Sequence, residues 1–559
     1  MLAITALCDF TAQAQIARLV TVAQCASSHP VAIAAKDQNS TSDSGKVKSP
    51  TRHHAGENQS ISLDEAIKKS HIICKQKKEE LGSPGLVVCV SVDGMQVYAN
   101  GFGYSDLENQ VPVEPDSVMR IASISKSITS LIVAKMWEES KIDLDKKVQH
   151  YIPDFPQKYF MGEKVDITVS QLLNHTSGIR HYKKKNDPAN AFDDQIVDLV
   201  KKTKEASLLP FYAAGAVGKK TCLVPHQPQP KMPFDTLQDT KEKEIYSKTN
   251  FPTTAKSLEL FQNDPLVSKP GTKFVYTTHG FTLLSAIVEA VAKQPFSEVV
   301  TKTFHTLGME RSYLDKSDPI IYKRARNYQK DKIGRVVNCP YVDNSYKWAG
   351  GGLLSTTEDL VKFGNILLYS AEHQDEDPSP PGYLKASTVW KFWSPPPSGG
   401  RSITPRYGLG FELTPEEQQY GMCGHHSFGA GHTGNAVGAS SVLFILPRYA
   451  KVGDSAACAG SNGPQVKSGL APLTTKNGLP QGVVVAIIVN LPSIDLRAAA
   501  KEIAKTFEKT PMTQLRYRAE PFDTFLPAQG ESPAENRSLM FLFPGLNLGA
   551  MSNGEVRIT

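Results

Sequence analysis

A serine stands three residues before a lysine, Ser123-Ile124-Ser125-Lys126, at the head of the apolar run "ASISKSITSLIVAKMW". If the run is a helix, positions three apart share a face and the amine can reach the hydroxyl. A serine hydroxyl is a weak nucleophile and needs a base. Lysine serves as that base once burial or a neighbouring cation lowers its pKa. A serine at a helix start also keeps its backbone N–H outside the helical ladder, where it can meet an oxyanion. The plainer reading is a helix cap beside a solvated lysine. No other Ser-x-x-Lys occurs in the chain.

Two further stretches add chemistry. "FVYTTHG" places Tyr276 just before a predicted helix, and "GAGHTGNAVGASSVLFILP" opens a predicted strand with His432, Thr433, Gly434 and Asn435. Other candidates rank lower. "CGHHSFGAGH" gathers Cys423, His425, His426 and His432. It lacks a carboxylate and a closed tetrahedral spacing, so no metal is expected. "WAGGG" fits no phosphate-binding pattern and reads as a tight turn. His175 in "NHTSG" reads as a structural loop histidine.

The elements that must position these groups are legible in part. Order is expected from Leu63, with a helix over "SLDEAIKKSHIICKQKKEEL". A β-hairpin follows in "GLVVCVSVDGMQVYANGFGYSD", turning at Asp93-Gly94. Thr168 and Gln171 form a capping-box pattern, as do Ser355 and Glu358. "GNAVGASSVLFILP" and "GVVVAIIVN" read as strands, and "SIDLRAAAKEIAKTFEK" as an amphipathic helix capped by Ser493. Strands at both ends predict an α+β fold: one antiparallel sheet built from both chain ends with flanking helices, and a mostly helical domain inserted between them. The expected domain spans 63–509, with insertions at about 183–257 and 448–481, after a leader at 1–62 and before an irregular tail at 510–559.

The 559 residues, 40% apolar and 21% charged, describe a soluble globular protein. Net charge is +6 without a basic stripe interleaved with aromatics, which argues against nucleic acid as a partner. No run is long enough for a transmembrane span. Eight scattered cysteines form no Cys-x-x-Cys pair and read as free thiols. The leader is poor in acids and rich in Ser and Ala, compatible with a transit peptide or a disordered segment.

The Ser-x-x-Lys, Tyr and His-Thr-Gly segments follow one another about 150 residues apart, in the order of serine β-lactamases and penicillin-binding proteins. On "DSVMRIASISKSIT", "KVQHYIPDFP", "LLNHTSGIRHY", "YVDNSYKWAGGG" and "GHTGNAVGASSVL", the chain resembles the serine β-lactamase and D-Ala-D-Ala-peptidase family. The likeness is to its class C-like branch, and within that to its mitochondrial animal members. It covers about 63–508, apart from both insertions.

The resemblance implies a β-lactamase/transpeptidase-like fold with Ser123 as acylated nucleophile and Lys126 as its base. Tyr276 would be a second proton carrier. His432 and Thr433 would line a strand edge that holds a substrate carboxylate or backbone, continued by Gly434. The N–H groups of Ser123 and Asn435 would form the oxyanion hole. Thr278 stands where many members have Asn, His432 stands where β-lactamases have Lys, and no acid stands out for deacylation. A peptidase or amidase therefore fits better than a β-lactamase, with an esterase as the alternative on the same fold. The resemblance further implies a peptide or protein substrate, no cofactor, and the mitochondrial intermembrane space. It also implies an effect on mitochondrial lipid metabolism and a homo-oligomer or filament, with a filament-forming structural role as the alternative to turnover.

Overall fold

The computed structural model describes residues 61–182, 244–374, 380–395, 407–414, 428–451, 470–472, 479–510 and 520–521. Helix α1 (Leu63–Leu81) opens the described chain, capped by Ser62, whose hydroxyl accepts the Glu65 N–H. Strands β1 (Gly85–Val92) and β2 (Met95–Asp106) form the expected hairpin. Its turn residues Asp93 and Gly94 have φ of 50° and 78°, as a type I′ turn requires. Helix α2 (Ile124–Glu138) carries Lys126, α3 (Val169–Leu173) has the Thr168–Gln171 capping box, and α4 (His279–Ala292) follows Tyr276. Helix α5 (Thr357–Glu372) comes next, then strands β3 (Glu412–Thr414), β4 (Gly429–Ala436), β5 (Ala439–Pro447) and β6 (Gly482–Val489). Helix α6 (Arg497–Glu508) and a short strand β7 (Glu520–Pro521) end the described chain.

The main sheet runs β3-β4-β5-β6-β1-β2-β7, and every pairing in it is antiparallel. Strands from the two ends of the chain meet at its centre, where β1 lies against β6. Both faces of this centre are covered. Val88, Val90, Val483, Val485 and Ile487 share one apolar layer with Ala66 of α1 and Ala500 of α6, because "GVVVAIIV" sends alternate side chains to opposite sides. Val87, Cys89, Val484, Ala486 and Ile488 enter the larger core with α2, α4 and α5. Two buried faces explain why these strands are continuous apolar runs rather than alternating ones.

Several expectations shift. The cap of α5 is Thr356, which accepts the Asp359 N–H, one residue beyond the expected Ser355–Glu358 box. Ser355 instead hydrogen-bonds Ser312 at 2.8 Å. Ser493 does not cap α6, which starts at Arg497 with Asp495 accepting its N–H. The Ser493 N–H is taken by Asn435 Oδ1 and the Ile494 N–H by Ser440 Oγ, and these tertiary bonds hold the segment out of the helix. Residues 244–257, expected within the first insertion, pack onto the body: Glu244 pairs with Arg180 at 2.8 Å, and a short helix, Thr254–Leu258, is tied to α4 by Thr254 Oγ1 donating to Glu289. The rest of that insertion, the leader through residue 60, and most of the second insertion and of the tail lie outside the described residues. Cys74, Cys89 and Cys339 are free thiols. Among the described residues no helix is long and apolar enough to cross a membrane.

Candidate active site

The approach to α2 is shaped for display. Ala122 is held at φ 48°, a backbone region that a residue with a Cβ rarely adopts, and Ser123 follows at once. The Ser125 hydroxyl fixes this turn by donating to Ala122 O at 2.6 Å. Strand β4 is pressed against the same turn: a Cβ on Gly434 would lie 2.5 Å from Ile121 O and 3.0 Å from Ala122 Cβ. Only a residue without a side chain lets the strand edge approach the serine so closely. Ser441 of β5 closes the contact by donating to Ile121 O at 2.7 Å.

Tyr276 is placed by the "HTSGIRH" loop. The Val275 N–H donates to His175 O at 2.7 Å, the Thr277 N–H to His175 Nδ1 at 3.2 Å, and the Thr278 N–H to His181 Nδ1 at 3.2 Å. So held, the Tyr276 hydroxyl donates to Ser123 Oγ at 2.8 Å. Lys126 Nζ lies 3.0 Å from the same oxygen, 2.5 Å from Gly350 O and 3.4 Å from Thr278 Oγ1. It also sits 4.7 Å from the centre of the Tyr276 ring. The "WAGGG" stretch, a single helical turn at Trp348–Gly351 rather than the expected tight turn, thus delivers a carbonyl to the amine. Gly350 has no room for more, since a Cβ there would stand 2.6 Å from Thr278 Cγ2.

Lys126 is fully buried, which excludes the solvated-lysine reading, and Ser123 makes no side-chain cap bond. Burial, then the charge of Lys347, push the Lys126 ammonium well below its ordinary range, against the pull of Glu412. Burial also drives Tyr276 up, so its phenol keeps its proton. Lys347 lines the same cleft, and burial with the Arg120 charge lowers it to about 7.

Behind the cleft a buried hydrogen-bond chain joins the Tyr276 segment to β4. The Thr277 N–H fills His175 Nδ1, so His175 Nε2 carries the proton and donates to Tyr407 Oη at 3.0 Å. Thr433 O can only accept, so His432 Nδ1 is protonated toward it at 2.5 Å. Its Nε2 then accepts from the Tyr407 hydroxyl at 2.9 Å. Every ring nitrogen has one partner, and both imidazoles are neutral. Burial lowers both their pKa values, in agreement.

The cleft encloses about 840 Å³ and is lined by Ser123, Tyr276, Thr278, Thr433, Gly434 and Asn435. His432 is not on its wall: its ring is buried, which corrects the expectation that it lines the substrate-holding strand edge. The strand alternates, so Thr433 and His432 face opposite ways. Lys347, Glu412, Arg497 and Tyr407 complete the site; Lys347 falls inside the quoted "YVDNSYKWAGGG" stretch, but neither it nor the other three is singled out by residue type or spacing. Among the described residues no cluster could hold a metal; Cys423, His425 and His426 lie outside them.

Residues 73–505 match the Beta-lactamase family. The chain belongs to the beta-lactamase family. It is 40% identical over 459 residues to the human serine beta-lactamase-like protein LACTB, mitochondrial, covering 79% of this chain and 80% of that one. The mouse protein of the same name is 40% identical over 468 residues, with the same coverage. Among solved structures, the octameric penicillin-binding protein homologue from Pyrococcus abyssi superposes with a TM-score of 0.50 at 24% identity, covering 81% of this chain and 79% of that one. The beta-lactamase family and its serine-named relatives make this chain a serine hydrolase of an α+β, β-lactamase/transpeptidase-like fold.

Proposed function

We propose that the protein is a peptidase that works through an acyl-enzyme on Ser123, with Lys126 as base and Tyr276 as proton carrier. The observation that carries this is the hydrogen-bond balance of Lys126. A neutral amine has two N–H donors and one lone pair. Gly350 O and Thr278 Oγ1 receive the two donors, so the lone pair is left for the Ser123 O–H, 3.0 Å away. Burial keeps the amine neutral for that task.

Attack by Ser123 Oγ on an amide carbonyl passes its proton to Lys126. The developing oxyanion meets the N–H groups of Ser123 and Asn435, and each such donor is worth about 100- to 1000-fold in rate. The Tyr276 hydroxyl, bonded to Ser123 Oγ, is placed to relay a proton to the departing amine, and returns as partner to the water that hydrolyses the ester.

The mitochondrial names of its relatives support the same organelle for this chain. Family resemblance extends the reading to the intermembrane space, to a role in lipid metabolism and to assembly into homo-oligomers or filaments. Profiling against a peptide library, with Ser123→Ala as control, tests the activity. Cleavage by the wild type alone supports it, and equal cleavage by both proteins rejects it. Electron microscopy of the same two proteins separates assembly from turnover.

A further inference from the structure

Thr433 lies on the cleft wall one residue from Gly434, whose backbone touches Ile121 and Ala122 beside the nucleophile. Thr433 and Asn435 line the cleft together with Ser123 and lie two residues apart on β4, about 7 Å along the strand, so a group bound at Thr433 sits roughly one substrate residue from the Asn435 N–H assigned to the oxyanion hole. Its N–H donates to Glu412 Oε2 at 3.0 Å and its hydroxyl to Oε1 at 2.8 Å. The Arg497 guanidinium reaches the same carboxylate at 2.5 Å and the Thr433 hydroxyl at 3.4 Å. A backbone N–H, a hydroxyl and a guanidinium converging on one point form an anion site. The anion in it is the chain's own. Glu412 is 21% exposed in its side chain and lines the cleft, so its charge faces whatever binds there.

We propose that Glu412 is a specificity-determining residue: it fills the anion site beside Ser123 and restricts the enzyme to bonds with no free carboxylate one residue away, that is, to internal rather than C-terminal peptide bonds. The inference rests on the acyl-enzyme reading above. A terminal carboxylate docking at Thr433 would meet a like charge and would have to displace Glu412 from three donors. Selection here works by repulsion rather than by added contacts. The substitution Glu412→Gln keeps the shape and one acceptor but removes the charge, which leaves Arg497 to attract an incoming anion.

The test uses two aryl esters of phenylacetic acid that differ only in the leaving group, 3-hydroxybenzoate against its methyl ester. The readout is the ratio of their acylation rates, which cancels any change in Lys126 basicity. Labelling of Ser123 by a neutral fluorophosphonate is checked first; failure there rejects the acyl-enzyme reading itself. Wild type should favour the methyl ester about 10-fold or more. Glu412→Gln should move the ratio toward the carboxylate by about 10- to 100-fold, and adding Arg497→Ala should abolish that gain. Arg497→Ala alone, at a residue 47% exposed, should push the ratio further against the carboxylate. An unchanged ratio in Glu412→Gln, a gain that survives loss of Arg497, or a wild type indifferent to the carboxylate overturns the proposal.

Discussion

Replacing Lys347 by methionine should stabilise the protein near neutral pH and make the enzyme need a higher pH. The Lys347 ammonium is buried, 5.4 Å from the Tyr182 ring centre and 5.2 Å from that of Tyr346. Burial, with the Arg120 charge, lowers its pKa from 10.5 to about 7, while Asp315 pulls the other way. Between those two values the unfolded chain holds a proton that the folded chain releases, so stability rises with pH across that window. At 1.36 kcal/mol per unit, the cost of this lysine at pH 7 is roughly 4 kcal/mol, falling to roughly 1.5 kcal/mol at pH 9.5. Methionine removes the cost and forgoes cation–π contacts worth about 1 kcal/mol. The expected gain is therefore about 3 kcal/mol at pH 7 and about 1.5 kcal/mol at pH 9.5, where the amine is already neutral and has no cation–π contact to lose, read by urea denaturation at both values. After burial, Lys347 is the next cause holding Lys126 down. Without it the Lys126 pKa rises, and the acid limb of fluorophosphonate labelling moves to higher pH. A variant no more stable at pH 7, a gain equal at both pH values, or an unmoved acid limb would refute the reasoning.

Gly350→Ala should drive a methyl into Thr278 and displace the carbonyl that holds Lys126. The expected cost is about 1–3 kcal/mol in stability and on the order of 100-fold in acylation rate, read by denaturation and by labelling kinetics. Tyr407→Phe removes the hydroxyl between His175 and His432 and leaves two buried ring nitrogens without their partner. That should cost about 2–4 kcal/mol, and a loss under about 0.5 kcal/mol would show the chain is not closed as described.

The parts of the fold that sequence displayed best are those decided locally. The Asp93-Gly94 hairpin and the Thr168–Gln171 box depend on neighbours within four residues, and both stand where the pattern puts them. The caps of α5 and α6 slipped because tertiary partners, Ser312 for Ser355 and Asn435 for the Ser493 N–H, prevailed over the local cap. Within the site, Ser123, Lys126 and Tyr276 had spacing and order to mark them. Glu412, Arg497, Lys347 and Tyr407 reach the cleft or its backing by long-range packing alone, so no periodicity points to them. His432 shows the limit of motif reading: its strand position was legible, but not that β4 turns Thr433 to the cleft and His432 to the buried side, where Tyr407, 25 residues away, is its partner.

The central claim is that a neutral, buried amine makes one hydroxyl out of the chain's serines reactive. Intact-mass and peptide-mapping mass spectrometry after fluorophosphonate treatment measures this directly in wild type, Ser123→Ala and Lys126→Ala. A single adduct on Ser123 in wild type, absent from Ser123→Ala and formed at least about 100-fold more slowly in Lys126→Ala, is the result predicted. Folded wild-type protein that takes no adduct, or a Lys126→Ala protein labelled at the wild-type rate, would contradict it.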